Sequence, residues 1–416
     1  MAQTTTHDII VIGAGIIGIS AALALQAQGR KVTLWDRKGI AEEASTGNAG
    51  AFAFAEVEPL ATPGVMKKAP KWLLDPLGPL SVPPSYAFKI APWMLRFWRA
   101  SWRDRYTASM QAQVTLMRHC EAAFERQLQA DGDASLIRRE GQLSVYQGEK
   151  QYQAALPGLM HRRDLGVETD LIESANALAD IQPGLDRSFT HGAYTPGWFN
   201  TEDPKIWAQM LADRFLEKGG VFERRTVSNL RNRDTYVEVT AEGALYRATH
   251  IVVCAGAWSH HLAAMLGDRF PLETERGYNT TFPTRSIDLR THVTFGAHGF
   301  VMSKIGEGLR VGGAVELGGL DLPPNYKRAD ILLKKAKSFF PDLDTDGGTQ
   351  WMGFRPSMPD SLPVIGTSTR APRVTYAFGH GHLGLTQSAG TAELVASLVE
   401  GSAPVIDLTP YRPSRF

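Results

Sequence analysis

Two arrangements of residues in this chain can do chemistry. The first is centred on Arg355, which stands between Trp351, Met352 and Phe354 on one side and Pro356 on the other. Proline biases the residue before it toward an extended backbone, and a guanidinium in apolar surroundings needs an anion. Its planar fork matches a carboxylate bidentately. Arg355 can therefore hold a small-molecule carboxylate or close a structural ion pair, for instance with Asp360, and spacing alone does not choose between them. The second arrangement is Gly13-Ala14-Gly15-Ile16-Ile17-Gly18 followed by Asp36. Its first glycine permits a tight turn, its second lets a pyrophosphate approach the backbone, and its third lets helix and strand pack closely.

The elements around the second arrangement fit it. Asp8 to Gly13 reads as a buried β-branched strand. A helix through Ser20 and Leu25 stops at Gly29, and Lys31 to Asp36 forms the next strand. The acid falls about 20 residues beyond the turn, where it can accept hydrogen bonds from ribose hydroxyls. The helix N-terminus offers free N–H groups and a positive dipole end to phosphate. Strand, turn, helix, strand and acid in register predict a dinucleotide site without separating FAD from NAD. The small-residue stretch Glu43-Ala-Ser45-Thr46-Gly47-Asn48-Ala49-Gly50 can bring backbone against a flat ring or a phosphate; taken alone it equally suits a flexible turn.

The chain has 416 residues, which predicts more than one domain. Its 44 basic and 43 acidic side chains nearly cancel, so overall charge gives no reason to expect a nucleic-acid partner. Cys120 and Cys254 are too few and too far apart for a disulfide framework or a CxxC metal or redox site, and no metal is expected. A reduced, cytoplasmic location follows as an expectation. The apolar run from Ile9 to Ala27 lacks a preceding basic residue and is broken by glycines, unlike a signal peptide.

With these motifs quoted, the chain resembles the D-amino-acid oxidase family of flavoproteins, and within it the bacterial D-amino-acid dehydrogenases, D-hydroxyproline dehydrogenases included. Ser45 to Gly50 resembles the family's element after the first βαβ unit. His250-Ile-Val-Val-Cys-Ala255-Gly256-Ala-Trp258 resembles its later flavin-contacting turn, Gly353-Phe-Arg355-Pro356 its carboxylate element, and Gly379-His-Gly-His-Leu-Gly384-Leu385-Thr386 its final flavin turn. Glu275 to Tyr278 and Val311 to Glu316 support it less specifically. The resemblance implies non-covalent FAD, no cysteine lying in 340–416 for a covalent link. It implies contacts from Gly13, Ala14, Gly15, Ile17, Gly18, Asp36, Arg37, Ser45, Asn48, Ala49, Gly50, Val227, Ala255, Gly256, Trp258, Gly381, Gly384, Leu385 and Thr386. The implied chemistry is hydride transfer from a D-amino acid's Cα to flavin N5, with water then hydrolysing the imino acid. The resemblance further implies that Arg355 binds the substrate and that Tyr278 and His380 line its pocket, Tyr278 equally suiting a plain sheet residue; desolvation of the ammonium removes the need for an obligatory base.

The implied fold is α/β: a discontinuous, Rossmann-like FAD domain (1–60, 196–270, 345–416) interleaved with a smaller α+β substrate domain (61–195, 271–344) whose sheet is mainly antiparallel. Val374 to Phe378 reads as a strand and Leu385 to Glu400 as a helix closed by Gly401. Between Met66 and Tyr106 stand eight Lys or Arg against two Asp, with Trp72, Trp93, Trp98 and Trp102. That composition suits a membrane surface or a helical cap with a solvated basic face, and the prolines Pro70, Pro76, Pro79, Pro83, Pro84 and Pro92 are expected to break any long amphipathic helix. A quinone or other electron-transfer acceptor and peripheral contact with the inner face of the membrane are expected from the resemblance. The alternatives are an oxygen-using oxidase of glycine or N-methyl amino acids, and a non-catalytic flavin- or NAD-binding module.

Overall fold

The computed structural model describes residues 5–67, 78 and 80–416. Its first large sheet has eight strands drawn from both ends and the middle of the chain. At its centre Thr5–Ile12 pairs in parallel with Val32–Asp36 on one side and Ala244–Val253 on the other, and Val374–Phe378 extends the parallel set. Ile9, Ile10 and Val11 are wholly buried, as a strand covered on both faces requires. Helices Ile16–Ala27 and Gly384–Glu400 pack together in one core beneath this sheet, and Arg103–Ala130 joins them through Leu116, Cys120 and Phe124. The Gly384 helix ends at Gly401 in the left-handed conformation, the stop that its sequence signals.

The second large sheet has nine strands and is mainly antiparallel. Glu273–Phe282 pairs antiparallel with both Gly308–Glu316 and Thr349–Ser357. Farther along, His292–Phe295 runs parallel to Gln142–Gln147. Helix Lys327–Phe339 covers one face, with Leu332, Ala336 and Phe339 against Phe282, Phe300 and Val311.

Two expectations change. Strand Thr349–Ser357, assigned by the sequence reading to the FAD domain from residue 345, belongs to the second sheet, because it is paired from end to end with strand Glu273–Phe282. Pro92 does not break its helix: Ala87–Ala100 runs through it. The proline removes one backbone donor, while Ile90 and Trp93 on the same helix are buried against Leu317. Residues 68–77 and 79, including Trp72, Pro70, Pro76 and Pro79, lie outside the described residues.

Candidate active site

The first strand delivers Gly13 into a turn only glycine can make. Its φ is +110°, and a Cβ there would meet the Cys254 carbonyl oxygen at 2.4 Å. Gly13 N–H bonds to Trp35 O at 2.7 Å and Cys254 N–H to Ile12 O at 2.8 Å, so three adjacent strands converge on the turn. Asp36 braces it from the second strand. Its Oδ2 accepts from Ala14 N at 2.9 Å, and its Oδ1 from Lys38 N at 2.7 Å and Gly39 N at 3.2 Å. Helix Ile16–Ala27 has no side-chain cap from its own N-terminus; Ser45 Oγ, from the small-residue loop, accepts from Ile16 N at 3.0 Å. Arg37 lies 3.8 Å over the ring of Trp258 and pairs with Glu43 at 2.8 Å.

The same loop is tied to the second sheet. Asn279 Nδ2 donates to Gly47 O at 2.9 Å, and Arg310 donates to Asn48 O and, at 2.8 Å, to Thr281 Oγ1. Burial lowers the Arg310 pKa to about 10. Asn48 Oδ1 accepts from Gly50 N at 2.8 Å, and Thr386 Oγ1 accepts from Ala53 N at 3.0 Å. Loop, sheet and final helix are thus locked together at the middle of the site.

Arg355 stands directly across from Glu275 on the neighbouring strand. Its guanidinium lies against Gly277, where a Cβ would come within 2.3 Å of Nη2. Asp360 is taken by Arg415 at 2.8 Å, so the alternative of an Arg355–Asp360 ion pair is overturned. The guanidinium donates only to Ala314 O, at 3.4 Å, among the described residues. Burial lowers its pKa, and Glu275 opposes the shift.

The other pocket residues divide. His380 is 4% exposed, its Nε2 lies 3.1 Å from Thr391 Oγ1, and burial holds its pKa near 3. His382 is exposed where it opens on the cavity, and loss of hydration there and, secondarily, the Arg355 charge lower its pKa to about 4. Both imidazoles are neutral at pH 7. Tyr278 gives its hydroxyl proton to Glu316 at 2.5 Å and accepts from Asn325 N at 2.9 Å. The hydroxyl is thereby engaged in a network that also holds the wholly buried Arg276, 3.6 Å from Glu316.

One cavity of about 950 Å³ runs between the two sheets from Asp36 to Arg355. The sequence-predicted cofactor residues line it, except Ala14, Gly18 and Gly50. Gly18 acts one layer deeper, where a Cβ would strike Gly13 O at 1.8 Å. The sequence reading missed Gln142, Ser144 and Tyr146, which line the cavity as alternate residues of one strand, and His292 and Thr294 beside them. It also missed Glu56 and Arg162. The two-residue spacing of polar groups along Gln142–Gln147 was the available signal.

A dinucleotide turn, a braced acidic residue and a long cavity lined by an arginine that makes no ion pair among the described residues define a protein with a nucleotide-cofactor site. The chain belongs to the FAD dependent oxidoreductase family, whose model matches residues 8–398. It is 35% identical to a D-amino-acid oxidase of Bradyrhizobium diazoefficiens, covering 99% of each chain. It is 31% identical to a D-amino acid dehydrogenase of Chromohalobacter salexigens, covering 98% of this chain and 99% of the other. Among solved structures it resembles glycine oxidase from Geobacillus kaustophilus, with a TM-score of 0.79 at 19% identity over 99% and 100% of the two chains. L-proline dehydrogenase from P. horikoshii gives 0.75 at 18% over 100% and 98%. The protein is an FAD-dependent oxidoreductase, and its residues fit that cofactor: Gly13 and Gly15 of the turn and Ile16 and Ile17 at the start of the helix, where Ser45 takes one N–H group, line the cavity.

Proposed function

We propose that the protein oxidises D-amino acids at the Cα–N bond and delivers the electrons to an acceptor other than oxygen. The observation that carries this reading is Arg355, a partly buried cation that makes no ion pair among the described residues, lining the same cavity as the dinucleotide turn. A guanidinium so placed holds a substrate carboxylate in a fixed plane, which orients the adjacent Cα. FAD, when bound beside the dinucleotide turn, would supply the oxidant for removal of hydride from that carbon. The chain's residues then contribute position and exclusion of water. His380 and His382 stay neutral beside Arg355, so they do not compete with it for the carboxylate.

The relatives' names support an amino-acid substrate and divide between oxidase and dehydrogenase. The experiment that tests the acceptor is turnover of D-proline or D-alanine with an artificial dye and with oxygen. Dye-dependent turnover without peroxide supports the proposal; peroxide formed at a comparable rate sinks it in favour of an oxidase, including one for glycine or N-methyl amino acids.

A second observation supports an acceptor carried at a membrane. On and after helix Ala87–Ala100, Phe88 is 94% exposed, Leu95 63%, and Trp98 and Trp102 47% each. Lys89, Arg96, Arg103 and Arg105 are exposed among them. Apolar and indole groups ringed by cations suit an anionic lipid surface. No helix among the described residues is long and apolar enough to cross a membrane, and surface contact of this kind needs none.

A further inference from the structure

We propose that Glu275 receives the substrate's ammonium group and takes its proton before the Cα–N bond is oxidised, a role that rests on Arg355 holding the carboxylate. The placement follows from sheet geometry. Residues directly opposite on antiparallel strands point to the same face with Cβ atoms about 5 Å apart, and Glu275 is opposite Arg355. Both open on the cavity, and Glu275 also lines a small adjoining recess with Glu58, Ser357, His380 and His382. An amino acid carries its two charges on neighbouring bonds of one carbon. A guanidinium and a carboxylate side by side are the complement of that zwitterion.

Glu275 is 6% exposed and makes no ion pair with a described residue. A carboxylate so enclosed, with the Arg355 charge across the strand pair but in no ion-pair contact with it, is stabilised further by a cation that reaches it. Burial raises its pKa, with Arg355 and then Ser357 opposing, which brings the carboxylate closer to an amine in basicity. The groups facing it are Arg355 and Ser357 from the neighbouring strand, His380 and His382 from the turn before the final helix, and Glu58 from the segment that follows the small-residue loop. With the histidines neutral, Arg355 and Glu58 supply the charges around it.

The proton step balances without a further reactant. An ammonium N–H bond breaks, an O–H bond forms on Glu275, and the electron pair stays on nitrogen, ready to form the C=N bond as Cα–H leaves with its electrons. Sequence reasoning assigned this deprotonation to desolvation alone; the cross-strand carboxylate provides a destination for the proton.

The test is the rate of anaerobic flavin reduction by a D-amino acid, measured from about pH 6 to about pH 10 on the holoenzyme and on Glu275→Gln and Glu275→Asp. For Glu275→Gln the expected result is a rate at neutral pH lower by about 100-fold, with the inflection moved up toward the free ammonium's own pKa. Glu275→Asp keeps the wild-type inflection. FAD content, and affinity for propionate as an unreactive carboxylate, change by less than about threefold. Unchanged pH profiles in Glu275→Gln overturn the proposal. So does weakened propionate binding with an unmoved inflection, which makes Glu275 only a counter-ion for Arg355. If no D-amino acid reduces even the wild-type flavin, the reading of the site itself fails, a result distinct from either.

Discussion

Arg415 holds Asp360, Nε to Oδ2 at 2.8 Å, and this pairing leaves Arg355 without the structural partner its sequence position suggested. The guanidinium lies over Gly277 and faces a cavity instead. On the proposed function, replacing it removes the substrate's anchor without touching the dinucleotide turn. Arg355→Ala is expected to raise KM by about 30-fold or more, the lower end of what a desolvated charged hydrogen-bond pair contributes, about 2 to 5 kcal/mol. FAD content stays at the wild-type value. Steady-state kinetics with a flavin absorbance ratio checks both; loss of flavin with normal KM contradicts the assignment.

Asp36 braces the turn through three backbone N–H groups, and we propose that it also faces the ribose of FAD. Asp36→Ala is expected to give protein with little flavin and a weaker FAD affinity by about 10-fold or more. Asp36→Asn keeps one oxygen for the backbone and falls between. Titration of apoprotein with FAD measures the series, and equal affinity in all three removes Asp36 from the site.

Tyr278 provides a separation of structure from chemistry. Tyr278→Phe strips the buried Glu316 of a donor and Asn325 N–H of its acceptor. The expected loss is about 1 to 3 kcal/mol of stability, with kcat within a few-fold of wild type. Denaturant unfolding and kinetics decide the point: a large fall in kcat at unchanged stability returns the hydroxyl to the pocket.

Burial also sets a pH dependence. The His292 pKa is lowered from 6.5 to about 4, so the unfolded chain binds a proton there that the folded chain refuses. Its contribution to stability is whole above pH 6.5 and is lost as pH falls toward 4. Relative to wild type, His292→Gln is expected to gain about 1.4 kcal/mol per pH unit on acidification through that window. Unfolding free energies at several pH values measure the difference, and a constant difference contradicts it.

The elements that depend on local chemistry were legible in the sequence. Gly13, Gly15 and Asp36 announced a turn, a helix and an acid, and Gly401 closed the final helix where its residue type said it would. What escaped was nonlocal. Glu275 and Arg355 are far apart in the chain and meet through strand register, which no local pattern encodes. Thr349–Ser357 was misassigned for the same reason: its partner strand, and not its neighbours in sequence, decides its sheet. Pro92 misled in the other direction, because burial of Ile90 and Trp93 outweighed one missing hydrogen bond. Gln142, Ser144 and Tyr146 were readable as alternation, but their facing a cavity was fixed only by the strands around them.

The central claim is that the cavity from Asp36 to Arg355 oxidises D-amino acids. Its most direct measurement is the flavin absorption of the purified protein, recorded anaerobically while D-amino acids, D-hydroxyproline, N-methyl amino acids and the L-enantiomers are added in turn. The expected result is a yellow protein whose band bleaches with D-amino acids and persists with their L-enantiomers. A colourless protein, or a yellow one that no D-amino acid bleaches, contradicts it.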